Sequence, residues 1–261
     1  MTGRLFQRYA GIDYSGAGTP ETGLTGLRVY LADADGEPVE IRPERDKRRH
    51  WSRRSLYRWL AGLLAEGKTT LVGLDHGLSF PEDYFERHHL PRDWRVLLGD
   101  FTAHWPTDQA GVTVRQIRDG VAGTGNQRTG DARWRRLCER RARAKSVFHF
   151  DVPGSVAGST HAGLGWIRQL LELPDDLTHF WPFDGWNPPR GQSVVAEAYP
   201  SLCSRLFQRA DRTADQHDAY CLARWFEQLD GQGKLAGLFH PDLGPDEKRR
   251  AGWEGWILGV G

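Results

Sequence analysis

The chain of 261 residues predicts an α/β fold: a mixed sheet covered by helices and interrupted by one large insertion. Three observations predict it. Apolar runs of strand length and β-forming composition occur at 4–13, 69–75 and 194–197. Amphipathic helical patterns accompany them at 51–67 and 213–229. Between 82 and 191 this alternation loosens into Gly-rich pieces, so 1–81 and 192–261 read as one core and 82–191 as an insertion able to bind substrate.

Each element has its own reason. Residues 4–13 form a first strand that stops at Asp13 before a Gly turn. Residues 26–42, "GLRVYLADADGEPVEIR", alternate and turn at Asp35-Gly36, which is a hairpin signal. In 51–67 Ser52 is placed to cap a helix, Leu56, Leu60, Leu63 and Leu64 keep helical spacing, and Gly67 stops it. "TTLVGLD" (69–75) is apolar throughout, as a strand buried on both faces must be. Within the insertion, 132–145 reads as a basic helix and 163–173 as an apolar one, with the Gly/Ser stretch 154–166 as a linker. "SVVAEAY" resumes the sheet, and 213–229 is a helix opened by a Thr213/Gln216 capping box. The closing "GWEGWILGV" (252–260) reads as a short terminal strand.

Bulk properties narrow the function. No apolar run approaches the ~20 residues of a membrane span, and the first residues lack a signal core, so a cytoplasmic protein is expected. Three dispersed Cys provide neither a disulfide framework nor a Cys-based zinc site. The net charge of +1 offers nucleic acid no global attraction. Basic charge is concentrated instead: 132–145 carries six Arg and Lys145 against Glu139 alone. Arg135, Arg136, Arg140 and Arg143 are the candidate phosphate contacts of that segment, although a solvated charged helix explains it equally well.

The acids carry more. Asp13 and Asp75 each end an apolar strand, and Glu197 stands in or at the end of a third. In the 213–229 helix the inward stripe of Leu222, Trp225 or Phe226, and Leu229 continues backward to Asp218 and Asp215. Singly, each has a plainer account: Asp215 complements the helix dipole, and Asp13 and Asp75 cap turns. Together they converge at the carboxyl ends of strands, where α/β sheets place ligand sites. Clustered carboxylates must hold protons or a hard cation, which points to Mg²⁺ or Mn²⁺, with two ions suiting phosphodiester chemistry.

The order of acids and elements resembles the RNase H-like superfamily, and the D-x-x-D-A of Asp215, Asp218 and Ala219 resembles its Holliday-junction resolvase branch. "GIDYSGA", "GLDHGLSFP", "AEAYPSL", "DQHDAYCLARW" and "EGWILGV" are similar to the predicted nucleases of domain-of-unknown-function family four-two-nine, from residue 11 to 260. His76 departs from that pattern. The resemblance implies an RNase H-like mixed five-stranded sheet with the insertion between its fourth and fifth strands. It implies a Mg²⁺/Mn²⁺-dependent nuclease acting on DNA or RNA. Asp13, Asp75, Glu197 and Asp218 are then catalytic metal ligands, with Asp215 assisting. Two other classes stay open: an actin/sugar-kinase-type phosphotransferase, suggested by "DYSGAG" and "DHG", and a non-catalytic nucleic-acid-binding domain.

Overall fold

The computed structural model describes residues 3–43, 49–174 and 176–261. The first strand, β1 (Arg8–Asp13), leads into the hairpin of β2 (Arg28–Asp33) and β3 (Val39–Glu40). Asp35 at φ 63° makes the left-handed turn between them. Helix α1 (Arg53–Ala65) begins at the Ser52 cap, whose side chain accepts from the Ser55 amide, and the chain leaves it through Gly67 at φ 78°. Strand β4 (Thr70–Leu74) is buried throughout, as its composition requires.

The next hundred residues hold α2 (Glu82–Arg87), α3 (Trp94–His104), α4 (Val114–Arg118), α5 (Leu137–Arg141) and α6 (Ala157–Leu170). They also hold a strand, β5 (Thr178–Trp181). Then come β6 (Ser193–Glu197), α7 (Ala214–Gly231) with its Thr213/Gln216 capping box, and α8 (Pro245–Glu254).

The sheet runs β3-β2-β1-β4-β6-β5. β2 is antiparallel to both its neighbours, whereas β1, β4, β6 and β5 run parallel. It therefore has six strands where five were expected. The extra one, β5, comes from within 82–191 and pairs along the outer edge of β6. These described strands make one sheet, not the two copies of a core that a phosphotransferase of the actin type requires.

Strand alternation divides the interior into two layers. On one face Ala10, Ile12, Val72, Leu74 and Val195 pack with Leu56 and Leu60 of α1 and Leu164 and Ile167 of α6. On the other Tyr9, Leu71, Val194 and Ala196 meet Leu222 and Phe226 of α7. Phe226 is fully buried, so it, rather than Trp225, continues the inward stripe of that helix.

Three further expectations are corrected. The basic helix of 132–145 is only Leu137–Arg141, because Arg143 takes φ 54° and ends it and Arg136 turns inward. The apolar helix starts at Ala157, six residues before 163, so all of the supposed linker from 157 on is helical. There, contact outweighs the low helix propensity of glycine: a Cβ on Gly163 would stand 2.7 Å from the His76 ring. The terminal segment is helical to Glu254, and beyond it Ile257 forms a single parallel bridge with Glu197. No helix among the described residues is long and apolar enough to cross a membrane.

Candidate active site

The site starts from two glycines. Gly11 of β1 and Gly73 of β4 lie on the face that α7 covers. A Cβ on Gly11 would stand 2.1 Å from the Ala219 carbonyl oxygen, and one on Gly73 2.6 Å from the Phe226 ring. Without side chains there, α7 lies directly on the strands. Asp13 and Asp75 project from that same face two positions later, because side chains alternate. The backbone pins the two ends together: the Asp75 amide donates to the Ile12 carbonyl at 2.9 Å. Asp218 immediately precedes the Ala219 that meets Gly11, and Asp215 lies about one turn earlier on α7.

These acids lie close enough to act on one another's protons. Burial raises the Asp13 carboxyl far above its ordinary range, and the neighbouring Asp75, Asp215 and Asp218 push it further, against the weaker pull of Arg28. Burial likewise raises Asp75, with Asp218 and Glu197 adding to it, while a hydrogen bond to Asp13 opposes the shift. Asp218 is raised by burial and by Asp215, with His217 and Arg209 opposing. Thus Asp13 and Asp75 titrate together under the influence of Asp218, with Asp215 acting on Asp13 and Asp218, and without a cation the pair retains protons at neutral pH. Among the described residues, no three His, Cys, Asp or Glu side chains stand in the arrangement of a ready-made metal site.

Glu197 behaves differently, and the expectation that a metal neutralises it is corrected. Arg136 grips both its oxygens, Nη1 to Oε2 and Nη2 to Oε1, each at 2.6 Å. The Leu78 amide adds a third bond at 3.2 Å. The reason is parity. Glu197 shares its face of β6 with Val195, which lies in the α1/α6 layer, whereas Asp13 and Asp75 look toward α7. Arg136 is itself held by Glu139, Nε to Oε1 at 3.0 Å, and this triad is almost wholly buried.

Arg136 is therefore a structural cation and not a surface contact for nucleic acid. Arg135, Arg140 and Arg143 are exposed as expected. The cleft between Asp75 and Glu197 is bordered on this side by Arg136, Glu139 and Lys145. Lys145, whose Nζ donates to the Pro153 carbonyl, was counted in the basic run but not among its candidate phosphate contacts. Its isolation among arginines was the available signal. His76 donates from Nδ1 to the Gly77 carbonyl at 2.9 Å and sits edge-on to Tyr14, and burial lowers it to about 4. It is a neutral packing group beside Asp75.

The chain after Asp13 opens into a second cleft, of about 830 Å³, between the 14–18 loop and residues 150–159. Arg115 and Arg118 of α4 border it. Comparison with protein-family models, curated proteins and solved structures finds no match, so geometry alone carries the functional reading.

Proposed function

We infer that the protein is a metal-dependent phosphodiesterase of RNase H-like type acting on nucleic acid. The observation that carries this reading is the elevation of Asp13, Asp75 and Asp218 by burial, with Asp218 adding to the other two, in a set of hard oxygen donors whose neighbouring cations do not offset it. Such a set suits Mg²⁺ or Mn²⁺ and fits no softer metal. Asp13, Asp75 and Asp218 are the ligands proposed, with Asp215 assisting. Glu197 is left to Arg136. Bound divalent ions would polarise the scissile phosphate and lower the pKa of attacking water.

The chain's own contribution is positioning. Gly11 and Gly73 set the depth of α7, the parallel pairing of β1 with β4 aligns Asp13 with Asp75, and the Arg136–Glu197 fork fixes the adjoining wall. Lys145 supplies positive charge for phosphate in the cleft beside Asp75. The strand order β3-β2-β1-β4-β6, with an antiparallel hairpin on one flank and parallel strands on the other, supports the RNase H-like assignment. The test is hydrolysis of single- and double-stranded oligonucleotides with Mn²⁺ or with chelator. Wild type should cleave only with the ion, and Asp218→Asn should lose at least about 100-fold, more than the usual loss for a group supporting a ligand. Cleavage that survives chelation would refute the assignment.

A further inference from the structure

The segment 204–213, which leads into α7, carries Arg205, Arg209 and Arg212 against a single acid, Asp211. It is tied to the acidic centre through α7 itself. His217 donates from Nε2 to the Ser204 carbonyl at 3.0 Å, which sets Arg205 beside the turn that holds Asp218. At the other end Thr213 caps the helix two residues before Asp215. Burial raises Asp218, and Arg209 is one of the groups that oppose the rise, so its charge reaches the acids.

What holds these arginines is the independent observation. Arg205 and Arg209 are exposed and Arg212 is half-buried. Among the described residues none of the three is in an ion pair: Arg209 Nε donates instead to the Arg212 carbonyl at 2.8 Å, and Arg212 Nη1 donates back to the Gln208 carbonyl at 3.3 Å. Ala210, at φ 49°, makes the left-handed turn between them. The Arg212 guanidinium also lies 3.5 Å over the Tyr220 ring. Carbonyls and a ring face fix the direction of a guanidinium and leave its charge unneutralised. Arg115 and Arg118 of the second cleft differ in this respect, since each already has an acid, Asp119 at 3.5 Å and Asp151 at 2.8 Å. Cations ordered in advance lose little freedom when an anion arrives.

We propose that the segment 204–213 is a nucleic-acid contact surface, on which Arg205, Arg209 and Arg212 hold backbone phosphates of the strand that enters the acidic site. The proposal deepens the nuclease reading and rests on it for the reason a polyanion approaches acids at all: divalent ions cancel their charge. Nucleic acid is the occupant because three guanidiniums spread along one segment match the repeated single charges of a phosphodiester backbone, and each presents a two-bond fork to phosphate. Such contacts read no sequence and set the register of the strand.

The test is binding of a dye-labelled oligonucleotide, single-stranded and annealed, in chelator, where no hydrolysis intervenes. Anisotropy is followed from about 50 to about 200 mM salt. The double variant Arg205→Gln/Arg209→Gln changes two exposed positions and leaves the Tyr220 contact of Arg212 intact. It should bind at least about ten-fold more weakly, and its slope of log affinity against log salt should fall by about two on duplex. Arg58→Gln, an exposed arginine of α1 on the opposite side of the sheet, should change neither. Unchanged affinity and slope in the double variant overturns the proposal. An equal loss in Arg58→Gln does so too, because it means diffuse attraction. Binding to phosphatidylserine vesicles that depends on the two arginines, with none to oligonucleotides, also overturns it. Mn²⁺ binding and cleavage are scored separately. Cleaving wild type with a double variant that binds as tightly sinks the surface and leaves the nuclease reading intact. Arginine-dependent binding without Mn²⁺ binding or cleavage does the opposite.

Discussion

Asp75 and Glu197 stand at the ends of adjacent strands, with Leu74 paired to Glu197, yet they solve the burial of charge in opposite ways. Glu197 has a guanidinium on both oxygens. Asp75 has other acids, and so it holds on to protons. Glu197→Gln should therefore strand Arg136 and destabilise the fold by about 3–5 kcal/mol, the usual result of removing half of a buried pair. Urea unfolding would read this, and a loss under about 1 kcal/mol would mean that the pair does not form. Asp13 predicts the reverse. Its folded pKa lies above its unfolded one, so the stability it contributes is complete below the ordinary carboxylate range near 4 and is lost as pH rises toward the elevated range. The metal-free melting temperature should fall as pH climbs from acid through neutral. Asp13→Asn should flatten that slope and melt higher than wild type at neutral pH. If Asp13 merely caps its turn, the variant melts lower at every pH.

At the scale of elements, the contact between α7 and β1 decides whether the acids meet. Gly11→Ala places a methyl 2.1 Å from the Ala219 oxygen, and the clash is with backbone, so α7 must shift. We expect a cost of about 1–3 kcal/mol, as for other overpacked sites, together with weaker metal binding. Calorimetric Mn²⁺ titration and urea unfolding of that one variant would show the two losses together. Much of this element was readable in the sequence, because its capping box and its stripe from Asp215 to Phe226 are local patterns. So were β1, β4 and the hairpin. What escaped was set by distant contacts. Arg136 looks like any other arginine of a basic run, and only its meeting with Glu197, 61 positions away, makes it a core residue. β5 is four residues with no pattern of their own, made a strand by the open edge of β6. The glycines of α6 argued against a helix, but the ring of His76 packs into the space that Gly163 leaves and Asp108 into that beside Gly165. The opposite facing of Glu197 was legible from strand alternation, since it follows Val195 by two.

For the whole molecule, charge is balanced overall and divided locally. Lys145 lines the cleft beside Asp75, Arg115 and Arg118 line a separate one beyond Tyr14, and Arg135, Arg140 and Arg143 are exposed on the surface. If the exposed arginines track a phosphate backbone, nucleic-acid affinity should fall steeply between 50 and 200 mM salt. Reversing Arg140 and Arg143 to Glu should then make the slope shallower, and an unchanged slope would free them of that role. The claim on which all else depends is that Asp13, Asp75 and Asp218 exchange their protons for a divalent cation. Isothermal titration of Mn²⁺ into the chain, in buffers of different ionisation enthalpy, tests it most directly. Wild type should bind Mn²⁺ more tightly as pH rises and release protons on binding, and Asp13→Asn and Asp218→Asn should each lose at least about ten-fold in affinity. No binding by wild type, or binding without proton release that both variants retain, would contradict the account.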